Sequence, residues 1–506
     1  MAIPFVKLPL LLPVRHPPHL LLPLHPSSSL FPFPPKPHLL RKPNHLHPSK
    51  ANTKDNSSLT SLLSDLQDIE ATEEVKTRFS PPSLHEHLPS RWPEIHGSNN
   101  WSNLLNPIDP LLRSELIRYG NFTQATYDAF DFNPFSLYCG TSKYPMDSFF
   151  SSLNMDSCGY EVSRFLYATS NIKLPNFFTR SHADEVWSEL ANWIGYIAVS
   201  SDATTALLGR RDIVIAWRGT VTKLEWVADL MSLLCPVSPK GIPCPDPSVE
   251  VESGFIDLYT DKDTSCRFCK YSAREQVLAE VKKLIDHYAV KNGEEVSISV
   301  TGHSLGSALA TLSAYDLVET GVSGGKTVCV FSFSGPRVGN RAFKERFEGL
   351  GVKALRVVNV HDTVPKVPGF LFNENVPALL QGMVPDSYNH VGVELELDHK
   401  SSPFLKDTKD ESCFHNLEAL LHLLDGYHGK GQNFELVSGR DLALVNKDCD
   451  FLENHLMIPP FWRQDLNKGM VRSEDGKWVQ PERPKIDEHP PDTHHHLTKL
   501  GFNLDK

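Results

Sequence analysis

The stretch Val296-Ser-Ile-Ser-Val300-Thr-Gly302-His303-Ser304-Leu305-Gly306 decides how the rest of the chain is read. Apolar and hydroxyl residues alternate from Val296 to Val300, which is the period of a β-strand. That strand runs straight into Gly-x-Ser-x-Gly, and a helix-compatible stretch, Ser307 to Glu319, follows at once. A serine on a sharp strand-to-helix turn exposes its hydroxyl, and the amides of its neighbours gather around it. Glycines flank it because a side chain at those points would clash in so tight a turn. Gly-x-Ser-x-Gly alone is common by chance. The strand before it and the helix after it make Ser304 a candidate nucleophile rather than an ordinary turn serine.

Working outward, Ile213-Val-Ile-Ala-Trp217 is an unbroken apolar run, as expected of a parallel strand covered on both faces. Val328 to Phe333 and Leu355 to Val360 read the same way, and Tyr388 to Leu397 reads as an alternating strand. Helical patterns lie between them over Gln276–Val290, Leu305–Val318 and Arg341–Phe347. Strands alternating with helices give an α/β fold, with a central, mostly parallel sheet flanked by helices. In such a sheet the carboxyl ends of the strands share one edge, where active sites collect. Three of these ends are chemically loaded: Arg218-Gly219-Thr220, Ser304, and His361-Asp362.

A serine hydroxyl needs a base, and the imidazolium formed on that base needs a carboxylate beside it. Asp362 opens the loop Asp362-Thr-Val-Pro365 and fits the carboxylate. In the chain order Ser, Asp, His the base follows Asp362. The candidates are His390, His399, His415, His422 and His428. His390 sits inside the alternating strand and His399 in the charged turn after it. His415 falls at the start of a helix read from Ser412, as N-cap, to Asp425, with Leu417, Leu420, Leu421 and Leu424 on its apolar face and Gly426 as its stop. A helix start favours a neutral imidazole, the form a base must have, which favours His415. The developing oxyanion needs preorganised donors. The amides of Leu305 and Thr220 are placed to supply them, with the Thr220 hydroxyl as a third. Chemistry of this kind needs no metal and no cofactor.

The chain has 506 residues, with 40% hydrophobic and 22% charged content, as suits a globular protein. No apolar stretch is long enough for a transmembrane helix. Residues 1–54 stand apart: they hold 13 of the 39 prolines, seven Lys or Arg, six His and no Asp or Glu. Pro9 and Pro13 cut the only leucine-rich piece, so a secretory core is missing. The absence of acid, the scattered base and Ser27-Ser-Ser29 read instead as a cleaved plastid transit peptide. Without the seven basic residues of that leader, 43 Lys and Arg face 61 Asp and Glu. So acidic a body argues against nucleic acid as a partner, and any lipid contact should be hydrophobic or local. Residues 55–100 read as linker plus a capping helix near Leu59–Ile69, 101–465 as the catalytic domain, and 466–506 as a surface tail. Nine cysteines without framework spacing read as reduced thiols, Cys266-x-x-Cys269 included.

Taken together, the motifs are specific. Trp217-Arg-Gly-Thr220, Glu225-Trp-Val-Ala-Asp-Leu230, Gly254-Phe-Ile-Asp-Leu-Tyr259, Gly302-His-Ser-Leu-Gly306, Phe333-Ser-Gly-Pro-Arg-Val-Gly339, Asp362-Thr-Val-Pro365 and Tyr388-Asn-His-Val-Gly392 resemble the class 3 lipases over about residues 195 to 430. Tyr119-Gly-Asn-Phe-Thr-Gln-Ala-Thr-Tyr127, Ala443-Leu-Val-Asn-Lys-Asp-Cys-Asp450 and the Phe461–Met470 tail resemble the gamma subgroup of the plastid class I phospholipase A1 proteins. The resemblance implies an α/β-hydrolase fold with a lid, for which Thr222 to about Pro239 is the matching segment. It implies His415 as the base, because the family histidine opens a helix after the Asn-His-Val-Gly strand. It further implies hydrolysis of the sn-1 ester of phosphatidylcholine at a membrane or lipid-droplet surface, with galactolipids and triacylglycerols as further substrates. A non-lipid carboxylesterase or acyltransferase with the same triad, and a lipase-like binding module, are the rival readings. Oligomeric state is not legible.

Overall fold

A computed structural model describes residues 87–169, 182, 186–220, 233–369, 387–463, 471–472, 478–479 and 481–482. The strands in chain order are β1 (Tyr160–Thr169), β2 (Ala191–Ser200), β3 (Arg211–Trp217), β4 (Leu234–Pro236), β5 (Glu250–Glu252), β6 (Val296–His303), β7 (Thr327–Phe333), β8 (Gly339–Asn340), β9 (Lys353–Asn359), β10 (Tyr388–Asn389) and β11 (Val393–Leu397). Seven of them form the main sheet in the order β1-β2-β3-β6-β7-β9-β11. The pairs β3–β6, β6–β7, β7–β9 and β9–β11 are parallel, while β1–β2 and β2–β3 are antiparallel. The mostly parallel sheet read from the sequence is therefore present. A small sheet, β10-β8-β5-β4, lies apart from it in pairing.

Helices cover both faces, as crossovers between parallel strands require. The helices that matter to the site are α1 (Leu88–Ile95), α2 (Pro110–Asp128), α3 (Ala273–Ile285), α4 (Leu305–Glu319), α5 (Arg341–Gly349), α6 (Glu411–Phe414) and α7 (Leu417–Gly426). Val214 and Ala216 of β3 join one apolar cluster with α2 and α7, and Ile213, Ile215 and Trp217 join the other with α3 and α4. Successive side chains of a strand point to opposite faces, so one strand feeds both cores. Among the described residues no helix is long and apolar enough to cross a membrane.

The structure redraws several sequence readings. The single strand expected over Tyr388–Leu397 is two: β10 pairs with β8, β11 pairs with β9, and Gly392 at φ 70° turns the chain between them. The helix expected over Gln276–Val290 starts earlier, because Ser272 and Glu275 form a reciprocal capping box, and it widens to π-type turns over Asp286–Lys291. Helix α1 buries Leu88, Trp92 and Ile95 in the core, so the packed body reaches beyond the expected start at Trp101. The capping helix expected near Leu59–Ile69 and the leader lie outside the described residues, as do residues 221–232 of the expected lid. Within that lid segment, the described Leu234–Pro236 forms the strand β4, paired with β5. In the C-terminal tail, Val471–Arg472 pairs antiparallel with Trp478–Val479.

The alternation in Val296-Ser-Ile-Ser-Val-Thr has a cause the sequence hides. All eight residues of β6 are buried, so the hydroxyl face does not meet water. Ser297 and Ser299 donate to Asp212 at 2.9 and 2.7 Å, and Tyr119 and Tyr160 donate to its other oxygen at 2.9 Å each. Burial alone would push the Asp212 carboxyl up. The Arg210 and Arg118 guanidinium charges and the Ser299 hydroxyl outweigh it and hold the group below its ordinary value. Removing the anion leaves four hydroxyls without their common acceptor and buried Arg210 without its counter-charge. Asp212→Ala is therefore expected to lower unfolding free energy by about 3–5 kcal/mol, read by urea denaturation at neutral pH. A carboxyl whose folded-state pKa is depressed stabilises above the unfolded-state value and loses that contribution as pH falls through the folded one. The gap between wild type and variant should thus be full at neutral pH and shrink below about pH 4. An equal gap at both ends of that range would sink this account.

Candidate active site

The turn between β6 and α4 holds Ser304 at φ 59° and ψ −132°. A non-glycine residue there carries about 1–3 kcal/mol of strain, which persists only where the surroundings fix it. They do so here. The Ser304 N–H donates to the Phe333 carbonyl at 3.0 Å, and the Ser307 N–H donates to the Ser304 carbonyl at 2.9 Å. The Ser307 hydroxyl donates to the Gly302 carbonyl at 2.6 Å and also lies 3.2 Å from the Phe333 N–H. Ser307, read from the sequence only as the first residue of a helix, is thus a fastener of the turn. Both glycines are there for close approach: a β-carbon on Gly302 would stand 2.2 Å from the Gly306 carbonyl oxygen, and one on Gly306 would stand 2.5 Å from the Trp217 carbonyl oxygen.

That second contact brings the end of β3 against the turn, as the parallel register Trp217↔Gly302 requires. A β-carbon on Gly219 would stand 3.2 Å from Cβ of Ser304, so the loop carrying Thr220 lies beside the serine. Leu305, the other expected oxyanion donor, opens α4 and is buried. The Thr220 hydroxyl is buried and without a hydrogen-bond partner.

Asp362 follows the end of β9 and is buried, 1% exposed. Its Oδ1 accepts the Val364 N–H at 2.9 Å, and its Oδ2 accepts the Nδ1–H of His415 at 2.7 Å. Nε2 of His415 is buried and has no partner, so it presents a free lone pair. That is the tautomer a general base needs. Among the described residues the other candidate histidines are differently engaged. His390 Nε2 donates to the Pro365 carbonyl at 2.7 Å, and burial holds its imidazole well below its ordinary value. His422 pairs with the Ser402 hydroxyl at 2.8 Å, and burial followed by the Arg440 charge lowers it to about 4. His428 Nε2 reaches the Glu435 carbonyl at 2.9 Å. Neither ring nitrogen of His399 makes a hydrogen bond.

His415 does not open a continuous helix, and Ser412 is not its N-cap. Asp410 caps the single turn α6, accepting the Ser412 N–H at 2.9 Å. Asn416 then caps α7 by accepting the Ala419 N–H at 2.9 Å. His415 is the joint between the two helices. Asn416, a preferred N-cap residue, was the missed signal.

Two residues to which the sequence reading gives no role of their own, His303 and Tyr127, complete the frame. His303, inside Gly-x-Ser-x-Gly, donates from Nε2 to the His415 carbonyl at 3.0 Å, and its ring centroid lies 4.5 Å from that of His415. Since a carbonyl only accepts, Nδ1 of His303 is the acceptor, and the Tyr127 hydroxyl donates to it at 2.8 Å. Burial, then the neighbouring His415, keep the His303 imidazole well below its ordinary value, hence neutral. His303 thereby ties the serine turn to His415. Tyr127 ends one of the resembling motifs, and the C-terminal motif holds it in turn: Arg463 donates to the Tyr127 carbonyl at 3.1 Å, and Lys447 pairs with Asp128 at 2.6 Å.

The model of the family described as Lipase (class 3) matches residues 214–372, which contain Thr220, Ser304 and Asp362. Phospholipase A1-Igamma1, chloroplastic, of Arabidopsis thaliana is 56% identical over 484 residues, covering 92% of this chain and 94% of the relative. The chain belongs to the class 3 lipases, in the gamma subgroup of the class I phospholipase A1 proteins. A second member of that subgroup, Phospholipase A1-Igamma2, chloroplastic, of the same plant, is 58% identical over 441 residues, covering 85% of this lipase and 83% of the relative. Phospholipase A1-II 6 of Oryza sativa subsp. japonica is 42% identical over 410 residues, covering 78% and 95%. Among solved structures, this lipase is similar to Yarrowia lipolytica LIP2 lipase at 18% identity and TM-score 0.38, over 58% of this chain and 82% of that one, a likeness too distant to bear on function.

Proposed function

We propose that this class 3 lipase is a phospholipase A1 that releases the sn-1 acyl chain of phosphatidylcholine, with galactolipids and triacylglycerols as further substrates. The observation that carries the reading is the pair His415 Nδ1–Asp362 Oδ2 at 2.7 Å beside the strained turn of Ser304, with Nε2 of His415 left open. Ser304 Oγ attacks the ester carbonyl while His415 Nε2 takes its proton. Asp362 holds the imidazolium. The amides of Thr220 and Leu305, joined by the Thr220 hydroxyl, take the oxyanion. His415 then protonates the departing lysolipid oxygen, and water, activated by the same imidazole, releases the fatty acid.

The relatives named phospholipase A1-Igamma are also named chloroplastic, and the acid-free residues 1–54 support import into the plastid behind a cleaved transit peptide. The substrate is met at a membrane or lipid-droplet surface. With so acidic a body, that contact is apolar rather than a broad electrostatic attraction.

Phosphatidylcholine, galactolipid and triacylglycerol carrying different acyl chains at sn-1 and sn-2, assayed beside a short soluble ester, test the reading. Mass spectrometry should find the sn-1 fatty acid as a first product, with the 2-acyl lysolipid from phosphatidylcholine and galactolipid and the 2,3-diacylglycerol from triacylglycerol. Release from sn-2 would overturn the regiochemistry. Turnover of the soluble ester alone would favour a carboxylesterase. No turnover and no labelling of Ser304 by a fluorophosphonate would favour a binding module.

A further inference from the structure

His361, Asp398 and His399 meet directly beside the acid of the triad. Each offers one ligand atom, and the three atoms lie within 4.8 Å of one another, the only group of three such side chains found among the described residues. His361 Nε2 stands 3.1 Å from Asp398 Oδ1. His399 is 2% exposed, yet neither of its ring nitrogens has a hydrogen-bond partner. A buried imidazole with donor and acceptor both unmet is rare in folded proteins and calls for an unfilled role. Its ring is not loose: it stacks on Phe414 at 4.7 Å between centroids and stands edge-on to His361 at 4.6 Å.

We propose that His361, Asp398 and His399 bind a divalent transition-metal ion, Zn2+ by preference, as a structural site. Two imidazoles and one carboxylate are donors that suit Zn2+, with water in the fourth position, and imidazole donors disfavour Mg2+ and Ca2+. Bonds of about 2.1 Å to a common ion require the donors to draw closer than they stand. The side chains of His361 and Asp398, 32% and 48% exposed, have room to do so. The ion takes no part in acyl transfer. It would fasten His361, the residue before Asp362, to the turn after β11. Through the His399 stack it would also steady Phe414, the residue before His415. Asn359 at the end of β9 already reaches the Phe414 carbonyl at 3.3 Å, so the site would reinforce a tie between the segments that hold the acid and the base.

The test is Zn2+ binding by the full chain after chelation, followed by calorimetry and by equilibrium dialysis with metal analysis. One ion per chain is expected, with a rise in Tm on adding Zn2+. Asp398→Asn keeps an acceptor for the Lys400 N–H that caps this turn but loses the anionic ligand. Asp398→Asn and His361→Gln should each weaken binding by more than the about tenfold typical of losing an outer partner, and should suppress the Tm shift. Both sites are partly exposed, so the variants should fold, with circular dichroism as the check. His399→Gln should abolish binding. No binding up to millimolar Zn2+, or binding equally tight in Asp398→Asn and His361→Gln, overturns the proposal; the second result would place the ion elsewhere among the 23 histidines and nine cysteines.

Discussion

Ser304→Ala is expected to lower turnover by about 10⁶-fold, or about 8 kcal/mol of transition-state stabilisation, while the protein remains folded. The substitution removes only Oγ. The hydrogen bonds that hold the turn run through the Ser304 backbone and the Ser307 side chain, and both survive. Alanine at φ 59° bears the same strain as serine, so Tm should move little. The residual rate should still exceed that in water by about 10³–10⁴-fold, because the oxyanion donors and substrate binding remain. Initial rates on a dispersed phospholipid and fluorophosphonate labelling read the loss of the nucleophile, and thermal unfolding followed by circular dichroism reads the retained fold. A variant that keeps more than a few per cent of activity would remove Ser304 from the mechanism.

Asp362→Asn should cost about 10⁴-fold in kcat, the loss that follows when a triad carboxylate becomes an amide. The local geometry says why. Oδ1 of Asp362 accepts the Val364 N–H, so in the variant the amide oxygen is held on that side. The NH2 group then faces Nδ1 of His415, which must become an acceptor. The ring proton moves to Nε2, and the nitrogen that should take the serine proton is already protonated. The fold should be kept, since asparagine has the same shape and retains the Val364 bond. Rates on soluble and dispersed esters should fall in parallel, because the defect lies in proton transfer rather than in lipid binding. A loss of tenfold or less would mean that another group orients His415.

The elbow was readable because its cause is local. Alternating hydrophobicity, two glycines and a following helix lie within about two dozen residues, and each has a steric reason visible in the residue types. Asp362 was readable for a similar reason, since it closes an apolar strand. The join at His415 is not legible in the Leu417–Leu424 stripe, because an apolar face does not mark where a helix begins; the side chain of Asn416 starts a new helix there. His303 was passed over because the motif leaves that position open. Its use depends on a carbonyl 112 residues away and a tyrosine 176 residues away.

By itself the sequence determined the α/β class, the strand-to-helix turn at Ser304 and the family, and it singled out Asp362 as the candidate acid, because strand period, turn sterics and motif spacing act between neighbours. Only the tertiary structure told the candidate histidines apart. Of the ten histidines that follow Asp362, five are the candidates, and what separates those five is the company they keep once folded. His390 and His428 reach backbone carbonyls, His422 reaches a serine, His399 has no partner, and His415 alone among them meets the carboxylate. Folding likewise made the hydroxyl face of β6 the buried lining of Asp212, because the α2 helix covers it: Tyr119 and Thr123 of that helix bond to Ser299 and Thr301.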